Sequence, residues 1–373
     1  MTLPPWRLRE RVVRSVVLAT LALGFGLGAR LVFAGALTQP PTGFAARIAE
    51  LSEPPGYFDT DNLISNEASY LDVVPALSQQ QVKGGVYIGV GPDQNYTYIA
   101  AARPSIAFIL DIRRDNMLLH LLFKALFGLA GNRVEYLSLL LGRRLPAESE
   151  STERGSMDIE RIVTSLNRAA LDGAALRSLR FKVDAAIRRV GVPLSDEDMR
   201  TIQRFHRRFI EAGFDLRFQS TGRPPRRYYP TYGDLLLATD PSGRRTCFLA
   251  SEDSFQFVKG LHARDLIVPV TGDVSGTKAV AAIGRLVRQR GERVSAFYTS
   301  NVEFYLFARG SFPGYLLNLR NLPRAPNAVV IRSVFAPYSS RSMSSSSHVQ
   351  SMAELLARAD DGRITRYADL LTR

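Results

Sequence analysis

The alternation of strand-like and helix-like segments is the feature of this sequence that most restricts its fold. Short apolar runs at 85–90 and 106–112 are each followed by a helical pattern, which starts near Asn95 in the first case and covers 115–129 in the second. Alternation at this spacing is typical of parallel strands joined by crossover helices. We therefore predict an α/β fold built on a mostly parallel sheet.

The alternation of strand-like and helix-like segments resumes in the second half of the chain after an interruption. Between 146 and 230 the sequence has charged helical patterns without clear strands, so we predict a helical insertion peripheral to the sheet. Within it, Ser195 precedes Asp198 by three residues, which predicts a capping box at the start of a helix that Gly213 ends. Further strands are predicted at 246–250, 266–271, 294–299, 315–319 and 328–335, with a helix over 275–289.

The amino-terminal 37 residues have the order of a targeting sequence. Four arginines and one glutamate in residues 1–15 precede a mostly apolar run over 16–37, whose one charged residue is Arg30. This order predicts an export signal, cleaved after Ala36, or a retained transmembrane anchor. In both cases the positive flank stays inside and the domain lies outside the cytoplasm, in the cell envelope. If the segment is not a targeting signal, the protein is cytoplasmic.

Proline pairs and changes of composition divide the rest of the chain. Prolines at 40–41 and 54–55 bracket a linker, which we place at 38–56. The α/β domain is then predicted over 57–338. It is followed over 339–373 by a serine-rich loop and a C-terminal helical unit.

Charge and cysteine content exclude several classes of site. The single cysteine, Cys247, and four widely separated histidines rule out a disulfide framework and have no zinc-ligand spacing, so no metal site is predicted. The net charge of +13 is spread along the chain rather than gathered in a basic block with stacking aromatics. We therefore predict no nucleic-acid partner.

A Gly-x-Gly pattern marks the end of the first strand. Gly89 and Gly91 follow the apolar run and precede a helix, where a backbone free of side chains can approach a ligand. Asp111 ends the next strand 22 residues after Gly89, near the spacing of an acid that binds ribose hydroxyls. The alternative is a tight strand-helix turn capped by Asp93 or Asn95, with Asp111 and Asp115 capping the following helix.

Here the chain resembles the class I S-adenosylmethionine-dependent methyltransferases, whose first strand ends in a glycine-rich loop and whose second strand ends in a ribose-binding acid. More closely, it resembles a family of uncharacterised bacterial proteins with that fold, in segments 57–67, 86–95, 108–116, 266–277 and 297–307. The resemblance covers most of residues 57–335. It implies a Rossmann-like, mostly parallel sheet of the class I methyltransferase type, to which this chain adds the helical insertion and an N-terminal apolar helix.

The resemblance also implies roles for particular residues. Gly89, Gly91 and Asp93 would line the loop that holds the cofactor, S-adenosylmethionine. Asp111 would hold its ribose, and Asp273 would lie near the reacting group at the end of the fourth strand.

Other polar residues have both functional and structural interpretations. Asn301 and Glu303 can line the same edge of the sheet, but Ser300 and Glu303 also have the spacing of a capping box. Asn66 and Glu67 can fold over the pocket or start a helix. The carboxylates of Glu252, Asp253 and Asp273 can act as bases, bind a cation or cap loops. The predicted site comprises catalytic Asp273, Asn301 and Glu303, and cofactor-binding Gly89, Gly91, Asp93, Asn95, Asp111, Asn66 and Glu67.

Two functions of different classes follow from these patterns. The first is an S-adenosylmethionine-dependent methyltransferase-like enzyme, or a former enzyme, that binds a small nucleoside-type ligand at the glycine-rich loop. The second is a non-catalytic, exported or membrane-anchored envelope protein that keeps the fold without the cofactor, because S-adenosylmethionine is a cytoplasmic metabolite.

Overall fold

The computed structural model describes residues 43–144, 157–224, 226–339 and 342–371. The predicted apolar amino-terminal segment, 1–37, lies outside these residues. Within them, no helix is both long and apolar enough to cross a membrane.

A six-stranded sheet forms the centre of the described residues. Its strands lie in the order β3-β2-β1-β4-β5-β6, with the first five parallel and β6 antiparallel to β5. The predicted α/β fold with a mostly parallel sheet is therefore confirmed. The strands are β1 (Val86–Val90), β2 (Ile106–Asp111), β3 (Ile267–Thr271), β4 (Val294–Ser300), β5 (Arg324–Ser339) and β6 (Ser342–Ser351).

Helices connect and cover the strands. The α-helices are α1 (Phe44–Leu51), α2 (Val74–Gln79), α3 (Gln94–Ala102), α4 (Arg114–Leu129), α5 (Arg133–Leu141), α6 (Ile159–Arg168), α7 (Gly173–Arg189), α8 (Asp196–Ala212), α9 (Tyr232–Leu237), α10 (Glu252–Ala263), α11 (Ala279–Gln289), α12 (Val302–Ala308), α13 (Phe312–Asn321) and α14 (Met352–Asp360). Short 3₁₀ turns cover Tyr70–Val73, Gly213–Asp215 and Tyr367–Leu370. Every residue of β1 and β3 is buried, as expected for parallel strands covered on both faces.

The chain from α4 to α10 separates β2 from β3, and its regular elements over the described residues 114–144, 157–224 and 226–263 are helices. Helices α7 and α8 pack against α4, and β3 then returns to pair with β2. This confirms the prediction that the sheet resumes beside its earlier strands. Ser195 and Asp198 form the predicted capping box of α8, and Gly213 is its C-cap.

Two predicted strands are absent at their expected positions. Residues 246–250 form turns, in which Phe248 is buried and donates its backbone N–H to Thr97 Oγ1. Residues 315–319 belong to α13, which buries Tyr315 and Leu319, one helical turn apart. Short apolar runs fit either a strand or one face of a helix, so periodicity could not separate the two.

The serine-rich segment is the third difference from the sequence-based prediction. Much of the predicted loop over 339–347 belongs to β6, in which Ser347 lies opposite Ser333 of β5. Strand pairing satisfies the backbone here, and the small hydroxyl side chains bond to one another across the strands. Ser351 then caps α14, the first helix of the predicted C-terminal unit.

Candidate functional site

A cavity of about 410 Å³ lies at the carboxyl ends of the parallel strands. Val90, Asp111 and Ser300, the last residues of β1, β2 and β4, line it together with Gly272, which follows β3. The order of the strands reverses between β1 and β4, and open α/β sheets bind ligands at that position.

Aromatic side chains form much of the cavity wall. Phe58 packs edge-on against Tyr305, with ring centroids 4.8 Å apart, and Phe218 packs edge-on against Tyr229 at 5.2 Å. Tyr367 also lines the cavity. These rings provide flat apolar surfaces on which a planar ligand group can stack.

Three exposed arginines surround the same opening. Arg223 pairs with Asp59 at 3.3 Å, and the Arg226 guanidinium lies 5.7 Å from the centroid of the Tyr228 ring. Arg309 also lines the cavity and makes no ion pair within the described part of the chain. The segment between α8 and α9 therefore contributes Arg223, Arg226 and Tyr229 to the cavity wall.

Buried side chains hold the glycine-rich loop by its carbonyl oxygens. Asn95 Nδ2 donates to both Val90 O and Pro92 O, each at 2.8 Å. His120 Nε2 lies 2.9 Å from Gly91 O. Three consecutive carbonyls are thus bonded from inside the protein, while Gly91, with a φ of +85°, faces the cavity.

The geometry around His120 determines its protonation. A carbonyl can only accept, so Nε2 must carry a proton, and Nδ1 then accepts from the Tyr96 hydroxyl at 2.8 Å. Burial lowers the pKa of His120 to about 4, so the ring is neutral near pH 7. The loop is therefore held without a charged group beneath it.

Position 89 requires glycine because of packing inside the protein, and not because a ligand approaches the backbone there as predicted. A Cβ at this position would lie 1.9 Å from Asn95 Oδ1 and 2.6 Å from the Tyr87 hydroxyl. Tyr87 OH itself donates to Asn95 Oδ1 at 2.9 Å. Neither Gly89 nor Asn95 lines the cavity. The absence of a side chain at Gly89 leaves room for Asn95, whose amide group holds the loop in place.

Asp111 lines the cavity as predicted, but its carboxylate is already bonded. Arg113 donates to Oδ1 from its backbone N at 2.9 Å and from Nε at 3.2 Å, and to Oδ2 from Nη2 at 3.0 Å. Arg113 Nη1 donates to Thr60 O at 2.7 Å. A carboxylate has about four acceptor positions, so one remains for a ligand beside this pair.

Asp93 is turned away from the cavity. Its Oδ2 accepts from the Tyr232 hydroxyl at 3.0 Å in the buried region between α3 and α9. Burial raises the pKa of Asp93 to about 7. The structure therefore places Asp93 in the interior rather than in the ligand-facing loop.

Glu67 lies just behind the cavity wall. It is 1% exposed, and its carboxylate accepts from Tyr298 OH at 2.9 Å, from Ser333 Oγ at 2.6 Å, from Gln94 Nε2 at 2.7 Å and from Ser300 Oγ. Tyr298 and Ser300 line the cavity, whereas Glu67 does not. Glu67 can therefore reach a ligand only through these hydroxyls.

Glu303 is engaged in a buried ion pair. Arg332 of β5 donates to it from Nε at 2.6 Å and from Nη2 at 3.2 Å. Ser300 bonds to Glu67 instead of capping α12, whose N-cap is Asn301, so the predicted capping box does not form. Glu303 lies outside the cavity lining, and its charge is already compensated.

The remaining predicted residues divide into two groups. Asp273, Asn301 and Asn66 line the cavity. Asp273 Oδ1 accepts from the backbone N and the hydroxyl of Ser275, at 2.8 and 2.7 Å. In contrast, Glu252 and Asp253 lie in the first turn of α10, outside the cavity, where Asp253 pairs with Arg103.

Sequence reasoning missed residues whose roles depend on distant partners. Tyr298 lines the cavity on β4, within a strand that the sequence predicts, but no motif distinguishes this residue from its neighbours. Arg113 is two residues from Asp111, a spacing that places them near each other but does not predict the ion pair. Arg332 lies within a predicted strand and had no signal of its own.

Comparison with known proteins places the chain in a family. Residues 63–172 and 218–373 match the family described as Domain of unknown function (DUF7790). The chain belongs to this family. The unmatched interval contains α7 and α8, so the sheet and most of the cavity lie within the part shared with the DUF7790 family. Among curated proteins, no match to the chain is found.

Proposed function

We propose that this protein has a Rossmann-like fold of the class I methyltransferase type and binds a nucleoside-type ligand, with S-adenosylmethionine as the candidate. The observation that carries the proposal is the cavity at the carboxyl ends of β1, β2, β3 and β4, with Asp111 at its edge. The strand order also supports it, because β1 and β4 diverge where doubly wound folds take their ligands.

The side chains of the cavity suit the parts of such a ligand. The wall that contains Phe58 and Tyr305 offers faces for a planar base. The ribose lies beside Asp111, and the polar tail approaches Gly91, which has no side chain to exclude it. Asp273 and Asn301 then face the remaining space, where a group awaiting transfer would lie.

A non-catalytic role is the second candidate. It is favoured by the engagement of both Asp111 oxygens with Arg113, which leaves the carboxylate less capacity for two ribose hydroxyls. Export of the domain would agree with this role, since the cofactor is made in the cytoplasm.

Titration calorimetry of the purified protein with S-adenosylmethionine and S-adenosylhomocysteine tests the first candidate. A hydrogen bond to a charged acceptor is worth about 1.5–3 kcal/mol, so Asp111→Ala should weaken binding at least about tenfold. Asp253→Ala is the matched control, because this carboxylate pairs with Arg103 outside the cavity and should leave affinity unchanged.

Each result has a distinct meaning for the site. Absence of wild-type binding at about millimolar ligand would remove the cofactor and favour the non-catalytic role. Binding that survives Asp111→Ala would retain the cavity but assign the ribose to other residues. A thermal melt of each variant checks that the loss of the Arg113 partner has not unfolded the protein.

The location of the domain is a separate prediction. We expect residues 16–37 to direct export or membrane association, so a reporter fused after Pro41 should be active outside the cytoplasm. Fractionation of the full-length protein checks membrane association independently. Reporter activity in the cytoplasm, together with a soluble full-length protein, would contradict this prediction.

A further inference from the structure

A continuous chain of hydroxyl groups connects the carboxylate behind the cavity to β6. Ser345 Oγ lies 2.9 Å from Ser69 Oγ, which lies 3.0 Å from Ser347 Oγ. Ser347 Oγ lies 3.0 Å from Ser333 Oγ, which donates to Glu67 at 2.6 Å. All four distances fall in the range of O–H···O hydrogen bonds. Ser69, Ser345 and Ser347 are half-buried and Glu67 is buried, so the chain connects partly exposed hydroxyls to a buried acid.

The single hydrogen of each hydroxyl gives the chain one direction. An ionised carboxylate can only accept, so Ser333 directs its hydrogen to Glu67 and must accept from Ser347. The same constraint makes Ser347 accept from Ser69, and Ser69 accept from Ser345. When Glu67 is ionised, every hydrogen of the chain therefore points inward.

The same carboxylate has a second route, through the cavity wall. Tyr298 and Ser300 both donate to Glu67 and both line the cavity. The Tyr298 hydroxyl oxygen also accepts from Gln94 Nε2 at 3.0 Å, so it keeps one lone pair, and the Ser300 oxygen keeps two, for a hydrogen of a bound ligand. Glu67 is thus one proton transfer from the cavity wall, and through Ser333 it is connected to the half-buried hydroxyls of Ser347, Ser69 and Ser345.

We propose that Glu67 is the proton acceptor that serves the cavity, through Tyr298 or Ser300, and that the serine chain returns the proton to solvent. This inference rests on the proposed function, because it concerns a ligand in the same cavity. It requires a ligand with an ionisable O–H or N–H group.

The transfer is balanced at each step. The X–H bond of the ligand breaks and an O–H bond forms at Tyr298 or Ser300, whose own proton passes to Glu67. The carboxyl then turns its proton to Ser333, and each hydroxyl of the chain turns in the same sense. The O–H bond of Glu67 then breaks as Ser333 accepts its proton, and each hydroxyl passes its own proton outward to the next, from Ser333 to Ser347, Ser69 and Ser345. Ser345 releases one proton to solvent, so every hydroxyl again holds one hydrogen, directed inward, and Glu67 is again ionised.

Infrared spectroscopy after a pH jump tests the relay in the ligand-free protein. The carboxyl C=O band that Glu67→Gln removes reports when Glu67 gains or loses its proton; if that variant does not fold, the band that Ser333→Ala shifts serves the same purpose. In the ligand-free protein, water that enters the cavity can exchange protons with Glu67 through Tyr298 and Ser300. The test must therefore remove hydroxyl groups from this route and from the serine chain together. Removing the hydroxyls of one route alone should leave proton exchange at Glu67 fast, since the other route remains.

The expected slowing appears only in the combined variant. Tyr298→Phe, Ser300→Ala and Ser347→Ala together should slow protonation of Glu67 at least about tenfold, because no hydroxyl route remains. A control triple variant, with Ser346→Ala in place of Ser347→Ala, should protonate Glu67 as fast as the wild type does. Ser346 is the next residue of β6, exposed and bonded to His348 outside the chain. Ser347→Thr, which keeps a hydroxyl, should also remain fast.

Two outcomes overturn the relay. One is an unchanged rate of Glu67 protonation in the folded triple variant. The same result in the variant that carries Ser333→Ala instead of Ser347→Ala would overturn it equally. The other is a carboxyl band of Glu67 that no pH jump changes while the protein stays folded. Because the measurement needs no ligand, its failure is distinct from a failure of S-adenosylmethionine to bind.

Discussion

Arg332→Ala is expected to lower the free energy of unfolding by about 3–5 kcal/mol, the usual cost of removing one partner from a buried ion pair. Arg332 and Glu303 are 2% and 1% exposed, and two hydrogen bonds join them. A third Arg332 bond, from Nη1, reaches Gln350 Oε1 at 2.7 Å. Truncation would leave the Glu303 charge buried without compensation, while the pair itself makes a much smaller net contribution.

Urea unfolding of wild type and variants at neutral pH measures this effect. Glu303→Ala should cost a similar amount, and Glu303→Leu combined with Arg332→Met should recover most of it, because no uncompensated charge then remains. Arg320→Ala is the control, since its partner Asp360 is exposed and such pairs are worth about 0–1 kcal/mol. A loss below about 1 kcal/mol for folded Arg332→Ala would contradict the assignment.

The second large effect is a pH-dependent gain of stability in Asp93→Asn. Burial raises the pKa of Asp93 from 3.8 to about 7, so the folded state binds this proton more tightly than the unfolded state. The resulting stability is fully present below about pH 4 and is lost as the pH rises through about 7. Three pKa units correspond to about 4 kcal/mol. Relative to wild type, Asp93→Asn should therefore gain up to that amount between about pH 4 and pH 8.

Asp198→Asn provides a contrast of opposite sign. Hydrogen bonds from Arg114, at 2.8 and 2.9 Å, are the main reason that the pKa of Asp198 is lowered to about 2. That stability is present above pH 3.8 and is lost only as the pH falls through about 2, so Asp198→Asn should be destabilised equally at about pH 5 and pH 8. Chemical unfolding at both pH values compares the variants. A stability difference between Asp93→Asn and wild type that does not change with pH would show that Asp93 is ionised throughout.

Local sequence patterns were sufficient to predict much of the sheet. β1, β2, β3 and β4 each appear as an apolar run next to a helical pattern, and the capping box of α8 lies within four residues. The failures occurred where a short run had two periodic interpretations, as at 315–319, or where strand pairing alone defines the element. The serines of β6 have weak strand propensity, and their conformation depends on pairing with β5.

The candidate site was predictable only in part for a similar reason. The positions of Asp111, Asp273 and Gly91 follow from the ends of strands, and the structure places all three at the cavity. Which carboxylates are already bonded depends on contacts across long separations. Glu67 meets Ser333 266 residues away, and no local pattern contains that information.

The fixed carbonyls of the glycine-rich loop have a consequence for how a ligand would associate. Because Asn95 and His120 hold Val90 O, Gly91 O and Pro92 O from the buried side, the shape of the loop is fixed before any ligand arrives. Binding then loses little conformational entropy in this segment, and the loop needs no closing motion. This edge of the sheet is therefore fixed in advance, and any selectivity at the loop would come from its shape rather than from induced fit.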